Sequence, residues 1–221
     1  MKKTFLLSCL MLAAMPVMAA YTGHVYVDKN KNGVFDQSEK PLAGIKVSDG
    51  LNVVETAADG SFTLPGHERE RFIFITTPSG YKTFNRHYHK IEKKQSGYDF
   101  GLIPYSGRIR KNGSHRYIHI ADTEIFNTEN HADWVNNVRD YARNEQAAFI
   151  IHTGDICYEK GLKAHIKLMN TENMDCPVFY CIGNHDLVKG KYGEELFESI
   201  YGPVYLSLIH ISEPTRPEPI S

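Results

Sequence analysis

Three short polar clusters in the second half of this 221-residue chain carry side chains suited to catalysis. They are Asp122-Thr123-Glu124, Gly154-Asp155-Ile156-Cys157-Tyr158 and Gly183-Asn184-His185-Asp186. Carboxylates, an amide oxygen and an imidazole are suitable ligands for Mn, Fe or Zn. Each cluster closes an apolar run, respectively Tyr117-Ile118-His119-Ile120-Ala121, Ala148-Phe149-Ile150-Ile151-His152 and Pro177-Val178-Phe179-Tyr180-Cys181-Ile182. Taken singly, each has the composition of a strand-terminating turn stabilised by Asp and Asn side chains. Taken in order, they point to one shared site.

The elements that must position these clusters read as alternating strand and helix. The three apolar runs are strand-like, the second almost wholly apolar, as befits a strand covered on both faces. Between the first two runs, Trp134, Val135, Val138, Tyr141 and Ala142 recur at helical spacing and predict a helix over about 131–146. Further helices are expected over about 162–173 and 194–200. A β-α-β-α-β order implies a parallel sheet with right-handed crossovers. In such sheets ligands bind beyond the carboxyl ends of the strands, so Asp122, Asp155, Asn184 and His185 are expected on one rim.

In order and placement these motifs resemble those of the calcineurin-like metallophosphoesterases. That family's pattern runs Asp-x-His, Gly-Asp, Gly-Asn-His-Asp/Glu, a lone His, then Gly-His-x-His. The resemblance implies an α/β domain that hydrolyses phosphate esters with two divalent transition metals (Mn, Fe or Zn). It implies that Asp122 binds one metal, Asp155 bridges both and Asn184 binds the other. By the same resemblance His185 stabilises or protonates the transferring phosphate, and Asp186 orients His185 through its second ring nitrogen. Two ions ~3.5–4 Å apart lower the pKa of a bridging water and clamp the attacking and leaving oxygens. Glu124 stands where the family has histidine, which leaves the metal preference and the ligand role of Glu124 open. The distal His and Gly-His-x-His motifs have no counterpart here. Residues 206–221 (LSLIHISEPTRPEPIS) read as an artefactual or disordered tail, and His210 within it is assigned no ligand role. Residues 117–205 are thus expected to be the first half of a catalytic domain, and the chain an inactive fragment.

Residues 21–104 read differently. Short runs rich in β-branched and aromatic residues (25–27, 45–47, 52–54, 61–64 and 71–75) alternate with Asn32-Gly33, Asp49-Gly50, Asp59-Gly60 and Ser79-Gly80. A small antiparallel β-sandwich is expected. Within it, Asp28 to Glu39 satisfies D-x-[DN]-x-[DN]-G-x5-E, the ligand spacing of a calcium loop. Asp28, Asn30, Asn32, the Val34 carbonyl, Asp36 and Glu39 hold the ligand positions, without flanking helices. The segment is similar to the calcium loop of extracellular adhesin-type modules, and the stretch after it to domains preceding exported bacterial metallophosphoesterases. A metal-free polar hairpin is the competing reading of this loop. His87 and His89 are expected in an exposed polar loop. Residues 105–116, polar and basic, read as a linker.

Lys2-Lys3, the short apolar run from Phe5 to Ala14 and the small residues ending at Ala19 or Ala20 form a signal-peptide pattern over residues 1–20. The product is expected to be exported, periplasmic or extracellular, with no transmembrane segment. A formal charge of −1 leaves no electrostatic footprint for nucleic acid. Cys157, Cys176 and Cys181, an odd number without zinc spacing, are not expected to form a disulfide scaffold. The expected partner is a phosphate ester of unspecified identity. The rival function class is a non-catalytic surface or carbohydrate-binding protein whose working part is the sandwich.

Overall fold

The computed structural model describes residues 20–67, 70–95, 97–105, 112–188 and 193–204. The signal segment as far as Ala19, the middle of the linker, and the tail with His210 lie outside the described residues.

Alternation of apolar and polar residues builds the N-terminal unit. In β1 (Ala20–Val27), buried Tyr21 lies between exposed Ala20 and Thr22, while Val25, Tyr26 and Val27 are all buried. The strands that follow are β2 (Lys40–Pro41), β3 (Lys46–Ser48), β4 (Val53–Glu55), β5 (Ser61–Pro65), β6 (Phe72–Ile75), β7 (Tyr81–Thr83), β8 (Tyr88–Lys90) and β9 (Phe100–Pro104). One sheet has the order β2-β1-β9-β7, with β5 also paired to β1; the other has the order β4-β3-β6-β8. Val25, Val47, Leu64, Ile73, Tyr98, Phe100 and Leu102 fill the space between them. Two expectations need correcting. The sandwich is not wholly antiparallel, because β1 runs parallel to β9 in the register Val25↔Phe100 to Val27↔Leu102. The first and last strands lie side by side, and the rest of the unit serves as their crossover. Nor do His87 and His89 sit in an exposed loop. His89 is in β8, its ring 4.6 Å from that of Phe100, and both histidines are half-buried.

The second unit is the expected β-α-β-α-β. It comprises β10 (Tyr117–Ile120), α1 (Ala132–Asn144), β11 (Phe149–His152), α2 (Glu159–Leu168), β12 (Val178–Tyr180) and α3 (Glu195–Tyr201). The strands are parallel in the order β10-β11-β12. The face bearing Ile118, Ile150, His152, Val178 and Tyr180 is covered by α1 and α2. In α1, Val135 and Ala142 point into that core, while Trp134 and Tyr141 of the same apolar stripe are exposed. The opposite face carries Tyr117 stacked on Phe149, with Phe179 edge-on to Phe149. Cys157 and Cys176 are buried, and Cys181 is half-buried.

The two units touch. Arg71, at the start of β6, reaches Glu194 and Glu198 of the α3 region at 3.4 and 2.9 Å, and His87 meets the Phe179 ring edge-on at 5.4 Å. Gly202 lies so close to Tyr88 that a Cβ there would come within 2.2 Å of its ring. No helix among the described residues is long and apolar enough to cross a membrane.

Candidate functional site

The loops leaving β10, β11 and β12 are laced to one another. The Asp122 amide donates to the Gly154 carbonyl (3.2 Å) and the Ile125 amide to the Ile156 carbonyl (3.2 Å), tying the first loop to the second. The second and third loops meet through glycine. Gly154, at φ +99°, lies where a Cβ would fall 2.3 Å from the Gly183 nitrogen. A Cβ on Gly183 would fall 2.3 Å from Asp155 Oδ1. Only glycine permits that approach. It lets the His185 amide donate to Asp155 Oδ1 at 2.9 Å.

Asp186 opens no path to the His185 ring, contrary to its expected role. It is wholly buried. Its Oδ1 accepts from the amides of Ile156 (2.8 Å) and Cys157 (3.0 Å), and its Oδ2 from that of Gly183 (2.9 Å). Burial pushes its carboxyl pKa upward, against the pull of those three donors. Asp186 thus ties the second loop to the third through backbone amides.

Asp122 and Asn184 are exposed at the rim, while Glu124, Asp155 and His185 are half-buried. Asp122, Glu124 and Asp155 all hold left-handed backbone conformations, with φ of 53°, 44° and 50°. Such angles cost non-glycine residues on the order of 1 kcal/mol each, least for Asp, and cluster at functional sites. The His185 ring is stacked on Tyr158 (centroids 5.1 Å, 22°), with Nδ1 3.4 Å from Glu124 Oε1. Nothing in the spacing of the sequence marks Tyr158 as the platform for His185, because 27 residues separate them.

Behind the rim lies a layer of neutral histidine. The Gly154 amide donates to His152 Nδ1 (3.3 Å), so Nε2 carries the proton and donates to Thr123 Oγ1 (2.9 Å). Burial, aided by His119, lowers the His152 pKa to about 4. His165, edge-on to His152 at 5.3 Å, is lowered to about 3 by burial. Its Nδ1 lies 3.0 Å from the Tyr201 hydroxyl, which donates to the Leu162 carbonyl.

The rim's donor set suits hard or borderline divalent ions. It offers three carboxylates and an amide oxygen, with no lysine or arginine paired to those carboxylates among the described residues. The buried His185 Nδ1 lacks a hydrogen-bond partner. The family model for the calcineurin-like phosphoesterase matches residues 115–213, and that for the N-terminal region of calcineurin-like phosphoesterases matches residues 29–104. The chain belongs to the calcineurin-like phosphoesterase family. No curated protein matches it. Calcineurin-like phosphoesterases bind divalent metals and hydrolyse phosphoric esters, so the strand-end rim of this one is its candidate active site, with a phosphate ester as substrate.

In the N-terminal unit, the loop from Asp28 to Glu39 curls on its own side chains. Asp28 accepts from the amides of Asn32 and Gly33, and Glu39 from those of Lys29 and Asp36. The Asn30 and Asn32 side-chain amides both donate to Asp36 Oδ2, and the Val34 amide donates to Asn32 Oδ1. Among the described residues, neither this loop nor the rim gathers three His, Cys, Asp or Glu ligand atoms within 4.8 Å of one another.

Proposed function

We propose that Asp122, Glu124, Asp155 and Asn184 hold two divalent transition metals for phosphate-ester hydrolysis, and that His185 faces the phosphoryl group. The observation that carries this reading is the Asp155–His185 link across the Gly154–Gly183 contact. It fixes the Asp155 carboxylate against the His185 backbone at the ends of neighbouring strands. Bound ions would offset the negative charge of the phosphoryl oxygens and acidify a water. The chain's own groups do the rest. Asp155 Oδ1 accepts from the His185 amide, which fixes the carboxylate at the strand end. Tyr158 stacks on the His185 ring and Glu124 lies beside its Nδ1, so the two hold the imidazole in place.

Asp28, Asn30, Asn32, the Val34 carbonyl, Asp36 and Glu39 are the proposed calcium ligands of the N-terminal unit.

Four rim donors without a histidine make metal affinity, rather than turnover, the decisive readout for this chain. Equilibrium dialysis with Mn²⁺ should show binding that Asp155→Asn weakens at least tenfold. Any hydrolysis of an activated aryl phosphate should vanish in the same variant. Unchanged Mn²⁺ binding in both Asp155→Asn and Asp122→Asn would remove the rim from consideration.

A further inference from the structure

A second cluster lies at one end of the sandwich, away from the rim and the Asp28–Glu39 loop. Asp49 occupies the turn between β3 and β4, its side chain wholly buried. Its Oδ1 accepts from the amides of Leu51 (2.9 Å) and Asn52 (2.7 Å), and its Oδ2 from the Asn52 side chain (3.1 Å). His67 and Glu70 lie on the segment joining β5 to β6. Glu70 accepts from the His67 amide and from the Tyr21 hydroxyl of β1. Ligand atoms of Asp49, His67 and Glu70 all lie within 4.8 Å of one another.

We propose that Asp49, His67 and Glu70 bind one zinc-like divalent ion that staples the two sheets of the sandwich together. His67 Nε2 is a buried atom 3.6 Å from Asp49 Oδ1, past direct hydrogen-bond reach. Ligands ~2 Å from a tetrahedral ion sit ~3.3 Å apart, so the two atoms already stand near the spacing an ion imposes. One imidazole and two carboxylates select a borderline ion over calcium, whose sites are built from oxygen alone. Both carboxylates are already aimed by backbone amides or the Tyr21 hydroxyl, the outer-shell support that metal sites use. The Tyr21 hydroxyl, which donates to Glu70, supports that carboxylate rather than serving as a fourth ligand. The remaining coordination position is left to water. Glu70 precedes Arg71, the residue that reaches Glu194 and Glu198, so the ion would also steady the junction between the two units.

The test uses the full 221-residue chain carrying Asp122→Asn and Asp155→Asn, which silences the rim. Equilibrium dialysis with zinc should leave one ion per chain on this background. Co²⁺ should give visible absorption bands of a low-coordinate site. His67→Gln added to the background should weaken zinc binding at least tenfold and abolish the bands, with an unchanged far-ultraviolet dichroism spectrum. Should His67→Gln fail to fold, Glu70→Gln decides by the same readout. A background chain that binds no zinc, or variants that bind it undiminished, would overturn the proposal. Failure of the rim reading would leave the His67 dependence intact, so the two outcomes are separable.

Discussion

Among the described residues each unit buries four polar or charged side chains, yet the two units connect them over different distances. In the sandwich these are Asp28, Glu39, Asp49 and Thr56, and their bonds stay local. Asp28 caps Asn32 and Gly33, Glu39 caps Lys29 and Asp36, and Thr56 reaches no farther than Leu42 and Ile45. In the α/β unit they are His152, His165, Asp186 and Glu198. His152 bonds to Thr123, His165 to Tyr201, Asp186 to Ile156 and Cys157, and Glu198 crosses to Arg71. The first set finishes loops, whereas the second joins successive β-α units to each other. Loss of a local bond frays one turn. Loss of a cross-tie loosens the site.

Acid offers the strongest way to break this comparison. His152 and His165 are neutral in the fold, with pKa values lowered by burial to about 4 and 3 from the usual imidazole value of ~6.5. Between pH 6.5 and 4 the unfolded chain therefore binds more protons than the folded one. The stability they confer is complete above about pH 6.5 and declines as pH falls toward 4, by about 4 kcal/mol for the pair between pH 7 and 5. Trp134, the single tryptophan, lies in α1 and reports on the α/β unit alone. Its fluorescence transition in urea should move to markedly lower denaturant at pH 5. A midpoint unchanged between pH 7 and 5 would show that these histidines do not tie the unit together.

Next in size is a pair of substitutions. Asp186→Ala strands three amide donors beneath the rim and should lower the unfolding free energy of the α/β unit by about 3 kcal/mol. Thr56→Ala, which removes one local hydroxyl in the sandwich, should cost about 1 kcal/mol. Urea titrations followed by Trp134 fluorescence and by far-ultraviolet dichroism would rank them. Equal losses would erase the distinction between cap and cross-tie.

The smallest expected effect belongs to the Asp28–Glu39 loop. With calcium affinity on the order of 10⁻⁴–10⁻³ M, millimolar calcium should stabilise the sandwich by about 1 kcal/mol and raise its Tm by a few degrees. Glu39→Ala should remove that shift. A Tm indifferent to calcium would assign the loop to the plain hairpin.

The same contrast in range explains what could be read from residues alone. The Asp28–Glu39 pattern was legible because every partner lies within a dozen positions. The three strand ends were legible because β-α alternation is a local pattern, and it puts Asp122, Asp155, Asn184 and His185 on one edge. The work of Asp186 was not, since its acceptor bonds run to Ile156 and Cys157 on another loop. The parallel β1–β9 pairing was hidden for the same reason, with 75 residues between Val25 and Phe100. The Asp49–His67–Glu70 cluster was hidden too, for it forms only when β3 and β6 pair and bring the Asp49 turn to the segment before β6.

The glycine contact beneath the rim also bears on redesign. Because Gly154 leaves room for Gly183, and Gly183 for the carboxylate of Asp155, neither loop can drift by a single substitution without colliding with the other. A side chain at either glycine would therefore disturb both loops at once. A designer grafting this rim onto another scaffold would have to carry both loops across together.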